Sequence, residues 1–451
     1  MLIKSVLPFV KSTNVIFGLR NFHLTGIMRG RDIPVCAVPS NPEKTPNYFI
    51  SEEVKYGSTN YKPMPVVIER GQGCYVWDVT GRRYLDFLAC FATVAHGYGH
   101  PRILAAMTEQ ANKITLTSRV FYHNKLAPFQ KLLCNILGFD KMMPTNTGVE
   151  ATESAVKLAR RWAYDVKGVQ QNQAVVLFPR GNFWGRSIAA VSASTDPSSY
   201  GGYGPYVPHS SFQTIPYDDI PALETALKSN PNIAAYVLEA IQGEAGVIVP
   251  RDGYLSDVRA LCTKYNVLMV VDEVQTGLGR TGKPLAVNYE NVKPDLLTLG
   301  KALSAGIMPV SCVLGRDDVI TTIKPGQHGS TFGGNPLGCA IGIEAVNVLY
   351  EEGLIDNSFK MGEYLRGELR AIKSKFPYLI KNVRGKGLLN ALEVNPEFAD
   401  AGELCMEMVK RGLLVKPTHR TVIRMSPALI ITKEQIDEAV GIMYSVLSKH
   451  N

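Results

Sequence analysis

Between about residues 100 and 335, short apolar runs alternate with stretches of helical periodicity, and no other feature restricts the fold of this chain as strongly. The runs fall at 174–178, 234–238, 267–271 and 296–299, and the helical stretches include 150–164, 222–228 and 255–265. Strands this short and this continuously apolar are buried on both faces, which predicts an α/β fold whose large, mostly parallel sheet is covered by helices. Residues 65–91 read instead as a small β-meander, with a Thr80-Gly81 turn between two of its strands. Beyond about 340 come helices at 340–352 and 358–376, then a strand-helix-strand segment that includes 387–394 and 421–425. This predicts a separate C-terminal α+β portion.

A chain of 451 residues has room for about two or three domains. Hydrophobic residues make up 45% and charged residues 20%, which suits a folded core. No run approaches the roughly 20 apolar residues of a spanning helix, so no membrane partner is expected. Eight scattered cysteines without a CxxC pair argue against a zinc site or a disulfide framework and for a reducing compartment. The net charge of +8 is the one hint of nucleic acid, and its location removes the hint. Lys4, Lys11, Arg20, Arg29 and Arg31 precede the first acid, Asp32, and without those five the chain carries +3.

That acid-free segment mixes its basic residues with Leu, Val, Ile and Phe, the composition of a mitochondrial transit peptide. The run Arg20-Asn21-Phe22-His23-Leu24-Thr25 resembles the processing pattern of imported matrix proteins. The expectation is a leader and the start of a linker over 1–38, with the mitochondrial matrix as destination. The polar linker extends from Pro39 to Tyr48.

Ligands of open α/β sheets lie at the carboxyl ends of the strands, and two ends here carry unusual residues. The run at 267–271 leads into Asp272-Glu273, and the run at 296–299 leads into Gly300-Lys301. A lysine at a buried sheet edge is unfavourable unless it has a partner or a chemical purpose. An acid and a lysine ending two strands, about thirty positions apart, are what pyridoxal phosphate (PLP) requires. The lysine forms the Schiff base, and the acid keeps the pyridine nitrogen protonated so that the ring acts as an electron sink.

Taken singly, Asp272 reads as a helix cap and Lys301 as a surface residue after a strand. Two candidate phosphate sites shift the balance. Thr145-Asn146-Thr147-Gly148-Val149-Glu150-Ala151 opens a helix with small residues at its amide end, and Gly329-Ser330-Thr331-Phe332-Gly333-Gly334 offers hydroxyls on a flexible backbone. The G-x4-G-K spacing of Gly277 to Lys283 imitates a nucleotide loop, but Pro284 stands where Ser or Thr must bind magnesium. His96, His100 and His123 lack a carboxylate or cysteine to complete a metal set, so they read as ordinary hydrogen-bonded histidines and no metal is expected.

Read together, six segments resemble the class III PLP-dependent aminotransferases, and within them the ornithine aminotransferases, from about Tyr56 to the last helix. They are Asn146-Thr147-Gly148-Val149-Glu150-Ala151, Gly181-Asn182-Phe183-Trp184-Gly185-Arg186, Gln242-Gly243-Glu244-Ala245-Gly246, Asp272-Glu273-Val274-Gln275-Thr276-Gly277, Leu299-Gly300-Lys301-Ala302-Leu303-Ser304, and Gly329-Ser330-Thr331-Phe332-Gly333-Gly334-Asn335-Pro336. The resemblance implies a type I PLP-transferase fold. Its large domain would span 96–340, and a small domain would be built from both chain ends, 39–95 and 341–451. It also implies a homodimer with active sites at the interface, and transfer of an amino group from L-ornithine to 2-oxoglutarate.

By motif position, Lys301 and Asp272 would be catalytic and Gln275 would bond the ring's phenolic oxygen. Phe183 and Val274 would pack on the two ring faces. Gly148 and Val149 would hold the phosphate through backbone amides, with Ser330 beside them and Thr331 reaching in from the neighbouring subunit. Arg186 and Arg424 would take substrate carboxylates, Glu244 pairing with Arg424 while the donor is bound, and Tyr61 would orient the donor. This sequence departs from the family at Phe91, where a tyrosine is expected. The missing hydroxyl keeps another ω-amino donor, acetylornithine or 4-aminobutyrate, as the alternative. Ala240, where a proline is usual after Glu239, and the segment Val94-Ala95-His96-Gly97 also depart.

Overall fold

The computed structural model describes residues 45–450; the leader and most of the linker lie outside the described residues. The linker's last residues, expected to be irregular, belong to a helix, Pro46–Tyr56, with proline in its first turn, where the missing N–H is no loss. The meander follows as β1 (Ile68–Gln72), β2 (Tyr75–Asp78) and β3 (Arg83–Asp86).

Seven strands build the central sheet: β4 (Lys141–Thr145), β5 (Val175–Pro179), β6 (Phe212–Ile215), β7 (Ile233–Glu239), β8 (Leu268–Asp272), β9 (Leu296–Leu299) and β10 (Ser311–Gly315). Their order is β4-β10-β9-β8-β7-β5-β6. The five strands from β6 to β9 are mutually parallel, while β10 runs antiparallel to both β9 and β4. β5, β7, β8, β9 and β10 are buried along their whole length. Helices cover both faces, as the unbroken apolar runs predict.

The helix expected from 150 begins two residues earlier and spans Gly148–Trp162. Thr147 and Glu150 form a reciprocal capping box, a local bond set that apolar periodicity does not register. The C-terminal region contributes β11 (Ile380–Lys386), β12 (Leu389–Val394), β13 (Leu413–Leu414), β14 (Lys416–Thr418) and β15 (Val422–Met425). β13 leaves its neighbours to pair in parallel with β3, while β11, β12, β15 and β14 form a sheet in that order. Among the described residues no helix is long and apolar enough to cross a membrane.

The loop after β8 locks the central sheet to the C-terminal sheet. Arg280, from the segment that imitates a nucleotide loop, is fully buried and donates to the carbonyls of Leu388 and Pro427. Ser358 and the Leu388 amide donate in turn to the Arg280 carbonyl. Gly387 fits here only because it lacks a side chain. Its φ is +53°, and a Cβ would lie 2.2 Å from the carbonyl carbon of Thr281. Gly387→Ala is therefore expected to destabilise the protein by about 3 kcal/mol or more through overpacking and left-handed strain. Equilibrium urea unfolding checks this; a change below about 0.5 kcal/mol, as for an ordinary surface substitution, would show that the contact is not tight.

Candidate active site

Strand order places the chemistry. β8 and β9 are neighbours in register, with Asp272 opposite Thr298, so Lys301 emerges three residues beyond the acid's partner at the same sheet edge. Seven residues expected to hold the cofactor, Gly148, Val149, Phe183, Asp272, Val274, Gln275 and Lys301, line a single cavity of about 230 Å³. Gly148 is required at its wall, since a Cβ there would stand 2.9 Å from the Val274 side chain. The Glu150 carboxylate takes the amides of Asn146 (2.7 Å) and Thr147 (3.2 Å). The next amides, those of Gly148 and Val149, have no intrahelical partner and carry the helix's positive end.

The charges at the cavity floor are held in unusual states. Burial, then the nearby Arg424, lowers the Lys301 pKa to about 8, although Glu244, Asp272 and Glu239 pull the other way. Asp272 is buried, accepts from the Val274 amide (2.9 Å) and the Thr152 hydroxyl (3.1 Å), and has its proton affinity raised by burial. Among the described residues no cation forms an ion pair with it. A buried carboxyl in that condition fits a protonated ring nitrogen, which supplies the missing positive partner.

Close enough to act on the Lys301 charge, Arg424 on β15 is fully buried and its Nη1 donates to Glu244 at 2.6 Å. Its Nε and Nη2 have no partner among the described residues. Burial pushes the Glu244 pKa up, but Arg424 and Lys301 outweigh it, so the net shift is downward and Glu244 is ionised. The Arg424 guanidinium stands 5.1 Å from the ring centre of Phe91. Phe91 sits in a turn where four successive non-glycine residues, Ala89 to Ala92, have φ of 44°, 48°, 54° and 72°. Left-handed backbone of this kind costs about 1–2 kcal/mol per residue and persists where surrounding bonds enforce it. Here Asp86 accepts from the amides of Leu88 (2.8 Å) and Ala89 (2.9 Å). Ser426, two residues after Arg424, donates to the carbonyls of Phe87 and Leu88.

The remaining expected residues stand apart from that cavity. Tyr61 and Arg186 line a neighbouring opening of about 410 Å³, where Arg186 donates to Ser199 at 3.1 Å. Arg186 lies 5.4 Å from the Phe183 ring, which relates this opening to the cavity. Ser330 and Thr331 do not line the Lys301 cavity of their own chain. They face a separate space with Asn146 and His328, and Ser330 accepts from Asn146 at 2.9 Å. His96 and His123 bond to the carbonyls of Ala345 and Gly334, and His100 to Glu352.

Sequence pattern does not mark two polar groups next to Asp272. Thr152 steadies Asp272, and nothing marks one threonine inside a helix. Glu239 ends β7 directly opposite Asp272, accepting from the amides of Gly243 (3.0 Å) and Phe183 (3.2 Å). The available signal was that a third buried strand also ends in an acid. Burial raises the Glu239 pKa to about 8, and Asp272 adds to the effect, so Glu239 keeps a proton near neutrality.

A class III aminotransferase family model matches residues 56–447, and the chain belongs to that family. It is a PLP-dependent aminotransferase. The mitochondrial ornithine aminotransferase of Rattus norvegicus is 50% identical over 97% of this chain and 98% of its own length. That of Drosophila melanogaster is 54% identical over 87% of this chain and 90% of its own. The crystal structure of the Toxoplasma gondii ornithine aminotransferase superposes with a TM-score of 0.88 at 45% identity, covering 90% of this chain and 95% of that one.

The protonated state of Glu239 has a measurable consequence. Its folded pKa is raised from 4.5 to about 8, so its contribution to stability is fully present below pH 4.5 and is lost as pH rises through about 8. Glu239→Gln cannot ionise, and urea unfolding of the cofactor-free protein should show the variant gaining on the parent between pH 5 and 8. A stability difference independent of pH would mean that Glu239 holds no proton there.

Proposed function

We propose that this chain transfers the δ-amino group of L-ornithine to 2-oxoglutarate, giving L-glutamate and glutamate-5-semialdehyde, which closes to pyrroline-5-carboxylate. The observation that carries the reading is the Glu244–Arg424 pair, both of whose charges act on Lys301. A donor entering by its δ-amine brings no carboxylate to that end, so the pair stays closed and Arg424 is neutralised. A 2-oxo acid brings its α-carboxylate to the same place, where Arg424, released from Glu244, grips it with donors otherwise unspent. Tyr61 and Arg186, in the outer opening, are then left for the donor's α-carboxylate or the acceptor's distal one.

When bound, PLP supplies an aldehyde that takes the amino group and an electron-poor ring that stabilises the carbanion. Asp272 is the residue that would hold the ring nitrogen in its protonated form. The amides of Gly148 and Val149 would receive the phosphate at a helix N-terminus. Phe183 and Val274 would confine the ring, and Gln275 would bond its phenolic oxygen. The Lys301 amine, with its pKa near 8, exchanges protons close to neutral pH, so it can remove one from the donor's Cδ and pass it onward. Lys301→Ala is expected to bind the cofactor yet lose at least about a thousandfold in turnover, the scale of losing a positioned base. Steady turnover near the parent rate would overturn the role of Lys301.

The donor assignment is tested by mixing the enzyme with L-ornithine alone. The cofactor's visible absorbance should fall while an aldehyde-bearing aniline traps pyrroline-5-carboxylate. Absorbance lost only to acetylornithine or 4-aminobutyrate would make Phe91 the determinant of a different donor, and Phe91→Tyr would then restore ornithine.

The active form is a homodimer on this reading. Val120, Phe121 and Tyr122 are 81%, 69% and 98% exposed. His123, the next residue, bonds to Gly334 in the loop that carries Ser330 and Thr331. An apolar face next to hydroxyls that miss their own chain's cavity fits a second copy supplying them. Phe121→Asp should yield monomers by light scattering, with PLP lost more readily; an unchanged dimer would place the interface elsewhere. The acid-free leader and the mitochondrial names of both relatives support delivery to the matrix.

A further inference from the structure

We infer that Lys416 is a second cation of the acceptor end, placed to bind the α-carboxylate of the incoming 2-oxo acid together with Arg424. The inference rests on the proposed role of Arg424 and extends it to a residue that role does not require.

Lys416 on β14 stands directly opposite Arg424 on β15 in an antiparallel ladder. Like charges facing one another across a ladder are destabilising, so this pairing needs a compensating anion. The natural candidates are absent or already engaged. Alternation along β14 sends Pro417 into the groove shared with Asp400 and Glu403, and so turns Lys416 to the other face, away from those acids. Among the described residues no acid forms an ion pair with Lys416, and the nearby carboxylate of Glu244 already accepts from Arg424 at 2.6 Å.

Phe91 joins the two cations. The Lys416 ammonium is 4.8 Å from its ring centre and the Arg424 guanidinium 5.1 Å. Ring contact of this kind holds a cation weakly, by about 0.5–1 kcal/mol at a partly exposed site, and leaves its donors free for a ligand. The left-handed turn at 89–92, held by Asp86 and by Ser426, fixes the ring where both cations reach it. While the donor is bound, Glu244 balances one of the two charges. Once it releases Arg424, two cations face the acceptor's carboxylate. Lys416 thus strengthens the acceptor half of the cycle, and the donor half proceeds without it.

The test uses the PLP-loaded enzyme and follows the halves separately by the cofactor's absorbance. In Lys416→Gln, the 2-oxoglutarate concentration that half-saturates recovery of the starting spectrum should rise about tenfold, the effect of one lost charged contact. The L-ornithine half should change less than about twofold, and Lys416→Arg should return acceptor binding toward the parent value. The parent's acceptor affinity should also weaken with added salt more than the variant's. Unchanged saturation by 2-oxoglutarate in Lys416→Gln overturns the inference, and so does an equal loss in both halves with a lowered Tm, which marks a merely structural lysine. Arg424→Lys separates the two levels. If it binds 2-oxoglutarate normally, the reading of Arg424 fails and takes this inference with it. If it is impaired while Lys416→Gln is normal, only the inference about Lys416 falls.

Discussion

Everything at this site depends on one electrostatic problem: an acid and an amine placed at adjacent strand ends, on a floor where water cannot solvate either. Burial raises the pKa of Asp272 and lowers that of Lys301 to about 8. Each group is thereby moved toward its neutral form, and each gains by meeting a partner that restores its charge or uses its lone pair. A cofactor with a basic ring nitrogen and an aldehyde satisfies both at once. Glu239 belongs to the same problem. Two ionised acids on one edge would repel one another, and a protonated Glu239 instead accepts from the Phe183 and Gly243 amides without adding its own charge there.

The rest of the structure brings distant segments to that floor. The central sheet supplies the acid, the amine and the helix terminus, while Arg424 comes from a different sheet and Phe91 from the turn after the meander. Two sets of contacts keep these pieces in register. Arg280 and Gly387 lock the loop after β8 to the C-terminal sheet. Ser426 ties the strand of Arg424 to the turn of Phe91. The surroundings of Arg424 are therefore assembled from chain segments that meet only when the whole molecule is folded. The carboxylate binding proposed for Arg424 thus depends on tertiary packing, whereas the placing of Lys301 beside Asp272 depends on two neighbouring strands.

That difference explains what could be read from the sequence. The apolar strands of the central sheet, and the acid and lysine that end two of them, follow from local pattern and from the general position of ligands in α/β folds. Roles such as those of Gln275, Phe183 and Glu244 came only through resemblance, because no local rule assigns a ring face or a pairing partner. The turn at Ala89-Cys90-Phe91-Ala92 was invisible, since left-handed backbone is ordinarily marked by glycine and none is present. Glu239 carries no mark of its own, because a single acid after an apolar run reads as the end of a strand, and only β7–β8 pairing shows that it faces Asp272. Lys416 had no signal at all. Its meaning lies in the cross-strand register with Arg424, which exists only in the folded sheet.

The most direct test of the central claim is to fix the cofactor chemically to the residue that holds it. Borohydride reduction of the yellow enzyme, followed by proteolysis and mass spectrometry, should place the reduced cofactor on the peptide containing Leu299-Gly300-Lys301-Ala302, with the added mass on Lys301 alone. Recovery of that mass on any other lysine, with Lys301 unmodified, would contradict the account from the strand ends outward.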